Sequence, residues 1–98
     1  MTSTPNIAAR LPHRPPMLML TGVVSETARA IHARATIADD NPLLDDGLFP
    51  AFAAIEPLAQ ACGLLLGGQG AVRPGAIVQI KAFDLEPRPI PVAAVLDI

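Results

Sequence analysis

The chain has 98 residues, of which 51% are apolar and 16% charged, with a net charge of −2 and one cysteine. That balance argues against a disordered chain and against a nucleic-acid binder, which would concentrate Lys and Arg on one face. It also leaves no cysteines for an internal disulfide or a metal cluster. No apolar run reaches the length of a membrane span, and the N-terminus carries no basic-then-apolar leader. The expectation is one cytoplasmic α/β or α+β domain over 1–98, with a thin core and no cofactor or metal. Eleven prolines are about twice the usual share, and the only aromatics are three Phe. So little aromatic mass points to burial gained by oligomerising.

Residues 1–10 read as polar and frayed, with Asn6 placed to cap a short turn through Leu11. Pro12, Pro15 and Pro16 then impose an extended, rigid path around His13 and Arg14. Met17 to Val24 is apolar and reads as a buried strand, in which Gly22 marks a bulge. Ser25 to Ala28 reads as a turn. From Arg29 to Ile37 the pattern alternates, with Ile31, Ala33, Ala35 and Ile37 on one side and His32 and Arg34 on the other. This is a half-buried antiparallel strand, so 17–37 is a predicted hairpin.

An acidic loop from Asp39 to Gly47 leads into the longest apolar run, which ends at Gly67 and Gly68. Ile55, Leu58, Ala59, Cys62, Leu65 and Leu66 recur there at helical spacing. Glu56, Gln60 and Gly63 form a second, polar-and-small stripe. Pro57 is tolerated only in a first helical turn, so the helix is expected to begin near Ala53–Ile55. A carboxylate on so apolar a helix is either paired or placed at a site that uses it. Residues 67–75 are a glycine-rich connection that lacks the ending of a phosphate loop. Ala76 to Leu85 alternates as an inner strand, Glu86 to Pro91 reads as a turn, and Val92 to Ile98 starts a last strand. One apolar helix flanked by antiparallel strands suggests an α+β sheet wrapped around that helix.

Two segments carry a resemblance. LPHRPPMLMLTGVV (11–24) is similar to the start of the hot-dog-fold 3-hydroxyacyl-(acyl carrier protein) dehydratases, and more so to the related dehydratases of aryl polyene clusters. LFPAFAAIEPLAQACGLL (48–65) resembles the central helix of the same families, where a Glu is followed by an Ala-Gln pair. The resemblance implies a hot-dog fold, with the helix inside a curled antiparallel sheet and further strands following the point where this sequence stops. An open last strand invites pairing, and the resemblance implies a homodimer or a heterodimer with a related hot-dog subunit. It implies a thioester substrate carried by acyl carrier protein, dehydrated to a trans-2-enoyl thioester in fatty acid or polyene synthesis.

β-Elimination needs a base for the α-proton and an acid for the leaving hydroxyl. Glu56 matches the helix carboxyl of the motif. Burial would keep it protonated and fit for the acid role, while the helix N-terminus opposes that. Its structural alternative is a first-turn residue stabilised by the helix N-terminus. The fatty acid enzymes carry a His in a Gly-His-Phe-Pro segment, and here Leu48 stands in that place within Gly47-Leu48-Phe49-Pro50. His13 is the substitute base, or else a structural residue that bonds backbone or pairs with an acid. His32 reads as a surface strand residue.

Substrate-binding candidates are Gln60, Gly63, Arg14, Gly47 and Ala51. Gln60 either orients the Glu56 carboxyl or satisfies a nearby strand. Gly63 either leaves space for an acyl chain or allows close packing. Arg14 contacts a phosphate or acidic carrier, or makes an ordinary salt bridge. The backbone amide at Gly47 or Ala51, before the helix, is placed to polarise the thioester carbonyl. Cys62 reads as a small buried residue. Two rivals stand beside the dehydratase: a non-catalytic hot-dog partner subunit, favoured by Leu48, and a hot-dog thioesterase using Glu56 to activate water.

Overall fold

A computed structural model describes residues 5–67 and 88–98. In chain order it runs α1 (Pro5–Arg10), β1 (Leu20–Glu26), β2 (Ile31–Thr36), β3 (Leu48–Phe49), a 3-10 turn (Ala51–Ala54), α2 (Ile55–Gly67), β4 (Ile90–Pro91) and β5 (Val95–Asp97). Among the described residues the strands form a three-stranded antiparallel sheet in the order β1-β2-β5, and a two-stranded pair, β3-β4. Helix α2 packs across β1 and β2 and against α1. The expected antiparallel sheet against one long helix is therefore present. The predicted connection from Gly68 on and the predicted strand 76–85 lie outside the described residues.

The hairpin is present, with its first strand two to three residues later than expected and its second confined to Ile31–Thr36. Met17 and Leu18 belong to a turn instead, because their amides both bond the Arg14 carbonyl at 3.0 Å. The bulge at Gly22 is there: the β1-β2 register shifts between Leu20 and Gly22, and again between Val23 and Ser25. Thr27 closes the hairpin, its hydroxyl accepting the Arg29 and Ala30 amides at 3.2 and 3.1 Å. Along β2 the alternation holds, since Ala33, Ala35 and Ile37 are fully buried.

The N-terminal reading needs correction. Residues 5–10 are helical, and Ile7 and Leu11, one turn apart, are both buried. Arg10, on the same face, is buried too. Its Nη1 donates to Glu26 Oε1 at 2.9 Å, its Nη2 donates to the other Glu26 oxygen, and Nη2 also donates to the Leu64 carbonyl at 3.1 Å. One guanidinium thus ties α1 to β1 and α2.

The C-terminal reading is corrected as well. Ile90 and Pro91, expected in a turn, pair with Phe49 and Leu48. Proline fits there because an edge strand can do without one amide donor. The last strand is confined to Val95–Asp97, after Ala93 turns the chain at a φ of 72°. On its outer side Asp97 accepts from Arg34 Nε at 3.1 Å and faces His32 Nε2 at 3.0 Å. So His32 does lie on the strand surface. The Arg34 hydrogen bond, then the His32 one, holds the Asp97 carboxyl below its ordinary 3.8. A carboxyl lowered by folding stabilises the fold fully above the unfolded value, and that stabilisation is lost as pH falls through the folded value. An NMR titration is expected to give Asp97 a midpoint below 3.8, and Arg34→Ala should move it back up.

Candidate functional site

The site lies where the proline-rich loop meets the first turn of α2. The approach to the helix begins with a tight turn. The Asp45 amide bonds the Leu48 carbonyl at 2.8 Å and the Leu48 amide returns the bond at 3.1 Å. Between them Asp46 and Gly47 have φ of 53° and 78°. Two successive left-handed residues define the hairpin turn that asks for Asp-Gly. Gly47 is therefore a turn residue, separated from the helix by β3, and does not sit at the helix start as expected. Ala51 does: it opens the 3-10 turn, just ahead of its first hydrogen bond, Ala53 N–H to the Pro50 carbonyl at 3.0 Å. Free amides cluster at such a start. The α-helix proper begins at Ile55, so Glu56 and Pro57 fall in its first turn as the sequence required.

The helix is turned differently from the apolar stripe read in the sequence. Its buried face is Pro57, Gln60, Ala61 and Leu64, whereas Leu58, Cys62 and Leu66 are exposed. The residue that settles the rotation is Gln60, which is 0% exposed. Its Oε1 accepts the Met19 amide at 2.9 Å and its Nε2 donates to the Met17 carbonyl at 2.9 Å. These close two backbone groups of the irregular chain before β1, the Met19 amide and the Met17 carbonyl; leaving such groups buried and unpaired costs about 1–3 kcal/mol each. The second hydrogen of Nε2 goes to Glu56 Oε1 at 3.2 Å. Gln60 thus bonds Glu56 and, in place of the expected strand, the irregular chain that leads into β1.

His13 Nε2 lies 3.5 Å from the same Glu56 oxygen, with both side chains a little over a quarter exposed. The other ring nitrogen, Nδ1, is buried with no partner among the described residues. Among the described residues Arg14 makes no salt bridge. Its Nη1 donates to the Leu11 and His13 carbonyls at 2.8 and 2.7 Å, so it braces the loop that carries His13. Gly63 is a packing residue: a Cβ there would stand 2.8 Å from Leu11 Cδ2, so the Leu11 side chain, just past the end of α1, occupies that side. Leu48 is 41% exposed on β3. The structure therefore brings Glu56, His13 and Gln60 together, puts Arg14 behind them, and sets Gly47 and Gly63 to other tasks. Among the described residues no three His, Cys, Asp or Glu side chains group as metal ligands. No described helix is long and apolar enough to cross a membrane.

This arrangement is the hot-dog fold of the dehydratase type. A chain of the dehydratase heterocomplex ApeI:P from Xenorhabdus doucetiae is similar to it at a TM-score of 0.79 and 27% identity, over 94% of this chain and 67% of that one. The family is equally plain: the model for ApeP-like proteins, described as ApeP dehydratase, matches residues 5–98, and the chain belongs to that family. No curated protein matches it.

Proposed function

We propose that this chain takes part in dehydrating a 3-hydroxyacyl thioester carried by acyl carrier protein, giving the trans-2-enoyl thioester, in cytoplasmic fatty acid or polyene synthesis. The observation that carries the reading is the convergence of His13 and Gln60 on Glu56 in the first turn of α2. A helix-borne carboxyl with one oxygen held in place is suited to moving a proton between the α-carbon and the leaving hydroxyl. Ala51 stands at the free amides of the same helix start, where a developing thioester oxyanion gains hydrogen bonds.

A second reading is that the chain completes the active assembly together with a related hot-dog subunit. Leu48, in the position of the expected histidine, favours it, because leucine exchanges no proton. The similar structure is itself described as a heterocomplex. The test is dehydration by the purified chain, alone and mixed with a second hot-dog dehydratase subunit. Water loss by the chain alone supports a self-sufficient enzyme. Water loss only in the mixture supports the paired one.

A further inference from the structure

We infer that His13 is a positioning residue that holds its proton on Nε2 toward Glu56, and that Glu56 Oε2 is the oxygen that transfers the proton. The assignment of Oε2 rests on the reading of Glu56 as the reacting carboxyl. The state of His13 stands on the geometry alone.

A neutral imidazole carries its proton on one nitrogen and a lone pair on the other. Nδ1 is buried with no partner among the described residues. A proton there would be a buried donor without an acceptor, at a cost of about 1–3 kcal/mol. A bare Nε2 would set its lone pair against the carboxylate oxygen 3.5 Å away. Both effects move the proton to Nε2. A nitrogen that already holds its proton toward Glu56 cannot take another from a substrate. The nitrogen with the free lone pair is closed off from one.

Gln60 acts from the other side, and its orientation has no freedom. Met19 N–H demands the amide oxygen and the Met17 carbonyl demands the amide nitrogen, so an N–H is necessarily what faces Glu56. The two groups meet the same oxygen, Oε1. Oε2 bonds no described residue and belongs to a side chain that is 28% exposed. In the elimination, Oε2 takes the α-proton, and the electrons of the Cα–H bond become the Cα=Cβ double bond. The Cβ–O bond breaks, its pair leaves with the hydroxyl, and the proton held on Oε2 joins it to form water. Arg14, bonded to the His13 carbonyl, keeps the loop where Nε2 can meet Oε1.

Two measurements test this. Long-range proton–nitrogen NMR on the full chain labelled in histidine is expected to give His13 the Nε2–H tautomer, with His13→Gln assigning its signals against His32. A proton on Nδ1 would overturn the inference. In the dehydration assay, His13→Ala should lose about tenfold, because the Nε2 group that stands 3.5 Å from Glu56 Oε1 is then gone. His13→Gln sets an N–H near the place of Nε2 but takes up no proton, so it should recover most of that loss. A His13→Gln variant as impaired as His13→Ala would identify His13 as the proton acceptor and overturn the inference. If the parent chain removes no water in any combination, the dehydratase reading fails, and the tautomer still decides the pairing of His13 with Glu56.

Discussion

Glu56→Gln is expected to lower the rate of dehydration by a factor of about 100 to 10,000, the usual worth of a positioned proton-transfer group. The substitution keeps the size and shape of the side chain. Its amide still meets Gln60 and His13, so the fold should be unaffected, as thermal denaturation would verify. What it removes is the ability of Oε2 to take up and release a proton. An amide is neither base nor acid near neutral pH, so the loss should appear in kcat at least as strongly as in KM. Glu56→Asp is the graded companion. It keeps the carboxyl but draws it back by one methylene from His13, so it should fall between the parent and Glu56→Gln. Activity that survives Glu56→Gln would move the chemistry away from this helix.

Arg10→Ala is expected to destabilise the chain by about 3–5 kcal/mol, which is the cost of leaving one partner of a buried ion pair alone. Arg10 and Glu26 are 8% and 14% exposed, so solvent does little to replace the lost partner. The Leu64 carbonyl loses a donor in the same step. Small domains are stable by only about 5–15 kcal/mol, and in one of this size each kcal/mol moves Tm by roughly 4–8 °C. Chemical denaturation of Arg10→Ala should therefore show an early midpoint or no folded baseline. The double change Arg10→Met with Glu26→Leu removes both charges and fills the same space, and it should recover much of the loss. A double variant no better than Arg10→Ala would mean that the hydrogen bond to α2, and not the pairing of charges, is what Arg10 supplies.

The parts of this fold that were legible in the sequence are those where one physical demand dominates. Pro57 allows only a first-turn position, and α2 begins two residues before it. The alternation of Ala33, Ala35 and Ile37 admits one buried face, and the strand shows it. The Glu56–Gln60 spacing put both on one side of the helix, where they meet.

The illegible parts are those settled by distant partners. A helix apolar nearly all round has no unique inner face, so the rotation of α2 is fixed by the backbone groups of Met17 and Met19 that Gln60 closes. Arg10 sits in a stretch too short for periodicity to speak. The i, i+4 spacing of Ile7 and Leu11 was the available sign that its neighbours are buried. Ile90 and Pro91 read as a turn because proline marks turns, yet Leu48 and Phe49 recruit them as a partner strand. The pairing of His13 with Glu56 joins residues 43 positions apart, and the resemblance alone placed them in one site.

The most direct measurement is mass spectrometry of a 3-hydroxyacyl thioester on acyl carrier protein after incubation with the purified chain, alone and with a second hot-dog dehydratase subunit. Loss of one water from the carrier-bound acyl group, abolished by Glu56→Gln in whichever combination is active, is the predicted result. Release of the free acid, or an unchanged thioester in both combinations with the chain folded, would contradict the account.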